Sequence, residues 1–228
     1  MLHNSRHNSD MNLLLHICCS NCSLYPVKIL RNGNHNLTGF WFNPNIHPLE
    51  EYQSRLASIK KLSDLWHIDI QYLEEYKPEE YFRALNITDK TLLSQFGLKG
   101  LNRSSGSSEF NIPPAPDRCR SCYQLRLDKT AREAKKGGFD AFTTTLLISP
   151  YQDFEQICET GSRLAEKYDV LFHMEDFRPF FRDAMNLAKE MGLYRQKYCG
   201  CIFSREERLT AKVHRDKGAK AHSDKETK

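Results

Sequence analysis

Short apolar runs alternate along this chain with segments in which apolar residues recur every three or four positions. The apolar runs are typical of buried strands and cover residues 13–17, 37–42, 68–73, 139–148 and 170–174. Helical spacing fills the segments between them and returns at 181–191. Strands that alternate with helices favour a single α/β domain with a mostly parallel, Rossmann-like sheet and flanking helices.

One segment interrupts this alternation. Residues 97–117 are rich in serine, glycine and proline and predict a flexible loop. Residues 1–11 are polar and predict a disordered N-terminal segment, and 205–228 form a basic C-terminal tail. The remaining part, 12–204, is expected to be the catalytic domain.

Composition narrows the class of protein. Hydrophobic residues make up 39% and charged residues 27%, as in soluble globular proteins. No window approaches the ~20 apolar residues of a membrane span, and the N-terminus lacks the apolar core of a secretion signal, so we expect a cytoplasmic protein without membrane contact. The net charge is +4, and eight Lys/Arg against five Asp/Glu give the tail +3, which is compatible with weak contact to a polyanion.

The cysteines carry the strongest chemical signal. Seven of the eight fall in three groups: Cys18-Cys19-x-x-Cys22, Cys119-x-x-Cys122 and Cys199-x-Cys201. In a reducing compartment, clustered cysteines bind metal or perform redox chemistry. The eighth, Cys158, lies on a helical apolar stripe and is expected to pack in the core.

Two of these groups together provide the thiolates of an iron–sulfur cluster. Cys18 and Cys19 directly follow the first strand, where a parallel sheet presents its ligand-binding edge. Cys119 and Cys122 share one face at the start of a helix, whose N-terminus favours thiolates. Four thiolates are what a [4Fe–4S] cluster requires, so we expect a cysteine-rich metal site at the carboxyl ends of the strands.

The other two sets of thiols have several possible roles. Cys22 could replace a cluster ligand, bind a second metal or attack substrate. Cys199 and Cys201, with one glycine between them, could close a strained and therefore labile disulfide, so we expect a catalytic redox pair. Two further metal ligands are the alternative for this pair.

Further residues are candidates for substrate contact. His16 precedes the cysteine pair and could bond a cluster sulfur, donate a proton to substrate, or simply be buried in the core. Polar and aromatic side chains near strand ends and near the last cysteine pair are candidate substrate ligands: Asn43, Asn45, Thr144, Asp176, Arg178, Tyr194, Arg195 and Gln196. Arg120, Arg126 and Arg132 are expected to include solvent-facing residues. The chain has neither GxxxxGK[ST] nor GxGxxG, which disfavours tightly bound ATP or NAD.

Several motifs, in order, resemble the QueH-type epoxyqueuosine reductases. They are the segments 14–22 (LLHICCSNC), 42–48 (FNPNIHP), 118–127 (RCRSCYQLRL), 142–150 (FTTTLLISP), 176–178 (DFR) and 194–201 (YRQKYCGC). The resemblance runs from about residue 12 to residue 204. The insertion near 97–117 looks long for this family, and the tail after 205 looks peculiar to this chain.

The resemblance implies a specific reaction. Such enzymes remove the epoxide oxygen of epoxyqueuosine at the wobble position of a tRNA anticodon, in the last step of queuosine synthesis. By resemblance, Cys18, Cys19, Cys119 and Cys122 would bind the [4Fe–4S] cluster, and Cys199 and Cys201 would form the redox-active disulfide.

The same resemblance implies a second metal and an electron donor. Cys22 would hold one additional iron, and an external electron donor would supply the reducing equivalents. An iron–sulfur tRNA sulfur-transfer enzyme and a non-catalytic, zinc-stabilised RNA-binding module are the alternative functions.

Overall fold

A computed structural model describes residues 10–87 and 114–211. Five parallel strands form one sheet in the order β3-β2-β1-β4-β5, which confirms the predicted parallel α/β fold. The strands are β1 (Asn12–His16), β2 (Asn36–Trp41), β3 (Ile70–Tyr72), β4 (Ala141–Thr144) and β5 (Leu171–Phe172).

Within the described residues, six helices connect and flank these strands. They are α1 (Ser20–Asn32), α2 (Leu49–Trp66), α3 (Pro78–Ala84), α4 (Ala115–Lys136), α5 (Phe154–Tyr168) and α6 (Phe181–Glu190). Residues 202–211 are also helical, across the predicted boundary at 204. The predicted disordered segment and tail fall outside the described residues over 1–9 and 212–228.

The predicted loop 97–117 is described only at its end. Residues 97–113 lie outside the described part of the chain, and the last three residues of the segment already belong to α4, which begins at Ala115. Proline at the first positions of a helix costs little, because its missing N–H has no partner there. The cysteine pair of this helix therefore lies one turn inside it and not at its first residue.

Three strands, β3, β4 and β5, are shorter than their predicted apolar runs, and the run 139–148 differs most. The run 139–148 contains β4 only up to Thr144, and Thr145–Ile148 form a 3₁₀ helix. The Thr144 hydroxyl accepts a hydrogen bond from the Leu146 N–H at 3.1 Å and so caps this turn. The turn places Thr145 at the carboxyl edge of the sheet.

The central strand fixes the position of the cysteine-rich segment. Leu13, Leu14 and Leu15 of β1 are fully buried, because helices cover both faces of a parallel sheet. Cys19 is the N-cap of α1, and its sulfur accepts from the Cys22 N–H. Since β1 lies between β2 and β4, this turn opens at the point where the strand order reverses, which is where such sheets bind ligands.

None of the helices in residues 10–87 and 114–211 combines the length and the apolar character needed to cross a bilayer.

Candidate active site

Three buried thiols meet at the carboxyl end of β1. The sulfurs of Cys18, Cys19 and Cys22 all lie within 4.8 Å of one another, with Cys18 and Cys19 3.8 Å apart. The Gln196 side chain donates to Cys19 Sγ at 2.9 Å and lies 3.8 Å from Cys22 Sγ. Within the described residues, no other group of three possible metal-binding side chains is this compact.

The three thiols differ in how readily they lose a proton, and Cys18 is the most acidic of them. Hydrogen bonding with Cys19 and Cys22 lowers the pKa of Cys18 well below its ordinary value, and Thr145 helps by donating its hydroxyl to Cys18 Sγ at 3.2 Å. Burial raises the pKa of Cys19, and hydrogen bonding with Cys18 and Cys19 raises that of Cys22. A metal ion would replace the thiol protons that remain, because metal ligation requires thiolates.

Cys119 and Cys122 lie on one face of α4, as their spacing predicts. Neither belongs to the compact group of three. Burial raises the pKa of Cys119 to about 11 and that of Cys122 to about 12. The expectation that the helix N-terminus favours thiolates is therefore outweighed by burial, and without a metal these two thiols stay protonated at neutral pH.

Cys199 and Cys201 lie beside the α4 pair. Cys201 and Cys122 share a small buried cluster with Tyr81, Phe82 and Phe203. Cys199 is accessible to solvent, and its sulfur accepts from the Gln152 side chain at 3.5 Å. Surrounding protein and the neighbouring Cys201 raise the pKa of Cys199. The third cysteine group is thus brought to the second by the fold, across about 80 residues of sequence.

A cavity of about 360 Å³ joins the first and third cysteine groups. Cys18, Cys22 and Cys199 all line it, together with the side chains of Arg55, Arg126, Lys197 and Arg208. No acidic side chain is among the described residues that line it. The volume suits a small molecule or a single nucleoside, and the lining favours a ligand that carries negative charge.

Arg126 is the buried cation of this cavity. Its side chain is 1% exposed, whereas Arg120 and Arg132 are exposed, so the expectation that these three arginines include solvent-facing residues holds through Arg120 and Arg132 and not through Arg126. Burial acts to lower its pKa, but the charges of Cys122, Cys199 and Cys18 raise it above the ordinary value. Its Nη2 has no hydrogen-bond partner among the described residues, so the cavity holds an unsatisfied donor. This arrangement fits a cation that neutralises several thiolates at once.

A second buried arginine holds the Cys199 segment in place. Arg55 of α2 donates to the carbonyl oxygens of Tyr198 and Cys199 at 2.9 and 3.0 Å. Its Nε also donates to Glu51 at 2.7 Å, and Glu51 accepts from the Tyr194 hydroxyl at 2.5 Å. Arg55 and Glu51 are 2% and 9% exposed. The Cys199 backbone is thereby fixed to α2, and Tyr194 belongs to this support and not to the cavity wall.

Both ring nitrogens of His16 are hydrogen-bonded to other parts of the protein. Its Nε2 lies 3.3 Å from the Phe42 carbonyl oxygen, which can only accept, so Nε2 carries the proton. Its Nδ1 then accepts from the Thr144 hydroxyl at 2.9 Å. Burial lowers the pKa of His16 to about 3, which keeps it neutral. Neither His16 nor Thr144 lines the cavity, and both support the turn that carries Cys18.

The predicted substrate ligands are dispersed. Of the eight candidates, only Gln196 lines the cavity. Asn43 is buried and donates to the Ile17 carbonyl at 2.8 Å, and Asn45 packs near Gly200. Arg178 forms a two-point ion pair with Asp176 on the surface. Cys158 is half-buried against the core, as its stripe predicts.

Arg195 is exposed. The cavity also has lining side chains that the sequence did not single out as site residues: Arg55, Arg126, Thr145, Gln152 and Lys197. Arg126 had a usable signal, since it lies four residues after Cys122 on the same helix face.

The donors present fit a soft metal. Thiolate-only sets select iron–sulfur clusters, zinc or Cu(I) over calcium or magnesium. Three sulfurs within 4.8 Å, with a neighbouring amide donor and a buried arginine, match the sulfur-rich, cation-balanced surroundings of such a group.

Comparison with known proteins gives a consistent result. Residues 13–94 and 103–207 match the family described as "Epoxyqueuosine reductase QueH". A protein of that name from Dehalococcoides mccartyi is 32% identical over 86% of this chain and 94% of its own length, and one from Thermotoga maritima is 33% identical over 90% and 97%. A solved chain from Methanocaldococcus jannaschii, titled as a tRNA methyltransferase subunit, covers 78% of this chain and 75% of its own at a TM-score of 0.45, a likeness too weak to bear on fold or function.

The family match spans both halves of the described structure and all three cysteine groups. It includes the turn with Cys18, the helix with Cys119 and the segment with Cys199. The family resemblance stated from the sequence is thereby confirmed. This chain belongs to the epoxyqueuosine reductase QueH family.

Proposed function

We propose that this chain is an epoxyqueuosine reductase acting on tRNA. The reaction takes the epoxide, two electrons and two protons, and gives the carbon–carbon double bond of queuosine and one water. The observation that carries the proposal is the cavity that Cys18 and Cys22 share with Cys199. A reductive deoxygenation needs a metal-bound electron source and a substrate pocket next to it, and this cavity combines sulfur ligands with room for a nucleoside.

The resident group in this proposal is a [4Fe–4S] cluster, with Cys18, Cys19, Cys119 and Cys122 as ligands and one additional iron at Cys22. When bound, such a cluster supplies electrons one at a time. The compact grouping of Cys22 with Cys18 and Cys19 supports the alternative that Cys22 is itself a cluster ligand. Single substitutions distinguish the two ligand sets.

The protein's own residues have positioning roles. Gln196 orients the sulfurs of Cys19 and Cys22 by its amide, and Thr145 does the same for Cys18. Arg126 places positive charge beside the thiolates and has a free donor for substrate oxygen. Cys199 and Cys201 are proposed as the thiol pair that would give two electrons to the centre, with release of two protons and closure of a disulfide, which the external donor would then reduce.

The test is anaerobic purification followed by iron, sulfide and zinc analysis, and then incubation with epoxyqueuosine-containing tRNA and dithionite. Nucleoside mass spectrometry should show loss of one oxygen from the modified base. Zinc without sulfide would support the RNA-binding module instead, and a thiolated tRNA product would support sulfur transfer. A loaded protein that leaves epoxyqueuosine unchanged would refute the proposed substrate.

Alanine substitutions of single cysteines identify which of them bind the cluster. Cys119→Ala should abolish the iron–sulfur absorbance if α4 supplies ligands, whereas Cys158→Ala, a half-buried thiol on α5, should retain both absorbance and turnover. Cys22→Ala should keep the cluster and lose one iron if Cys22 holds the additional metal. Loss of the whole cluster in Cys22→Ala with its retention in Cys119→Ala would show that the compact group of three is the ligand set.

A further inference from the structure

The cavity opens beside an exposed aromatic residue that has no role in the proposed reaction. Tyr151 lines the cavity and is 83% exposed. Its ring meets Phe181 edge to face, with centroids 5.7 Å apart and an interplanar angle of 83°. An edge-to-face contact leaves a face of the tyrosine ring free for another flat group.

The turn that carries this ring is held firmly. The Tyr151 N–H donates to the Ser149 hydroxyl at 3.3 Å, and the Gln152 N–H donates to the Ser149 carbonyl at 3.2 Å. On the other side, the Tyr123 hydroxyl donates to Gln152 Oε1 at 3.1 Å. Because the backbone is already ordered, a ligand that stacks on Tyr151 loses little entropy in fixing it.

The same turn also connects the Tyr151 ring to the thiol of Cys199. Gln152, the next residue, donates to Cys199 Sγ at 3.5 Å. A group stacked on Tyr151 therefore lies at the entrance, and a neighbouring group of the same ligand can reach the thiols.

Charge identifies the ligand class. Lys197 and Arg208 line the same cavity, and the Arg208 guanidinium donates to the Lys197 carbonyl. Among the described residues Lys197 has no ion-pair partner, and none of those that line the cavity is acidic. A flat group flanked by negative charge is what a single-stranded nucleic acid offers: bases that stack and phosphates that attract cations.

We propose that Tyr151 is the stacking platform for an unpaired RNA base next to the modified nucleoside, with Lys197 and Arg208 binding the adjoining phosphates. This inference rests on the proposed function, since it places the modified nucleoside in the cavity and its neighbour on the rim. Tyr151 supplies affinity through its ring, and the two cations supply the salt-dependent part.

The test uses holoenzyme and a fluorescein-labelled, unmodified anticodon stem–loop RNA, with anisotropy titrations at several salt concentrations. Tyr151→Ala should raise Kd roughly 5- to 150-fold, the range for one stacked base, and leave the salt slope unchanged. Tyr151→Phe keeps the ring and should bind like wild type. Lys197→Gln should instead reduce the slope of log Kd against log salt by about 0.7–0.9.

Leu65→Ala is the control, because Leu65 is 54% exposed on α2 and does not line the cavity. It should leave Kd unchanged. Equal binding by Tyr151→Ala and wild type would overturn the inference, as would equal loss in Tyr151→Ala and Tyr151→Phe. If Tyr151→Ala slowed only reduction by a protein electron donor, with RNA binding intact, the rim would be a donor-docking site and the inference would be wrong.

Turnover of epoxyqueuosine tRNA by the wild type, measured in parallel, separates the two proposals. Wild type that binds the stem–loop through Tyr151 but reduces nothing would refute the proposed function alone. Wild type that reduces the substrate while Tyr151→Ala binds RNA normally would refute the stacking platform alone.

Discussion

Replacing Arg55 by methionine should destabilise the protein by leaving a buried carboxylate without its cation. Arg55 and Glu51 are 2% and 9% exposed, and Nε lies 2.7 Å from the carboxylate. Removing one partner of such a pair costs about 3–5 kcal/mol. Because Glu51 still accepts from Tyr194, we expect the lower end, about 3 kcal/mol. For a chain of this size, that lowers the melting temperature by about 6–12 °C.

The pair can be tested by a double-mutant cycle. Urea unfolding is measured for wild type, Arg55→Met, Glu51→Gln and the double variant under one set of metal conditions. In the double variant neither charge is left uncompensated. Its loss should therefore be about 1–3 kcal/mol smaller than the sum of the two single losses.

A half-buried, more accessible pair of the same spacing is the control. Lys129 and Glu133 are also four residues apart on a helix but are 32% and 24% exposed. Lys129→Met should cost less than about 1 kcal/mol. Additive single losses within about 0.5 kcal/mol in the Arg55–Glu51 cycle, or an Arg55→Met loss as small as that of Lys129→Met, would refute the reasoning.

Three other predictions follow from local geometry. Gly161→Ala should cost about 1–3 kcal/mol in urea unfolding, because the added Cβ would lie 2.4 Å from the Phe172 ring, and Phe172→Leu in the same chain should recover part of the loss. The pKa of His47 is lowered to about 3 by burial, so below pH 6.5 the unfolded state binds the proton first. The free energy of unfolding should therefore fall by up to about 1.4 kcal/mol per pH unit from pH 6.5 towards 3. His47→Leu should reduce this slope by that amount, and a slope equal to that of wild type would contradict the prediction. Gly200→Ala should cost about 1–3 kcal/mol of stability, because φ is +136° at this residue and the added Cβ would lie 3.3 Å from Arg55 Nη1. The variant should also slow turnover at unchanged iron content. Loss of iron instead would show that Gly200 supports the metal centre.

Local pattern was sufficient for most of the fold. The leucines of β1 are a short apolar run bounded by polar residues, and the α5 stripe repeats at helical spacing, so each element could be predicted from near neighbours. The run 139–148 was the largest exception, since β3 and β5 are also shorter than their runs. A run of buried residues looks the same in a strand and in a short helix, and a side-chain bond of Thr144 decided where the strand ends.

For the cysteine groups, too, local spacing predicted some features and long-range packing decided the others. Adjacent spacing placed Cys18, Cys19 and Cys22 at one turn, and the structure gathers their sulfurs. Spacing also placed Cys119 and Cys122 on one helix face. Which group faces which depends on how α4 and the segment around Cys199 pack, and long-range packing leaves no periodic signal in the sequence.

By itself the sequence determined the parallel α/β class, the family and the residues that carry sulfur, because these depend on short-range pattern and on motif order. Only the tertiary structure decided that Arg55 and Arg126 are buried beside the thiols, that His16 is occupied by Thr144, and that Tyr151 stands at the cavity entrance. The sequence around an arginine does not show whether its side chain faces water or a cluster of thiolates. Its role follows from which distant groups share its surroundings, and that is set only when the helices pack on the sheet.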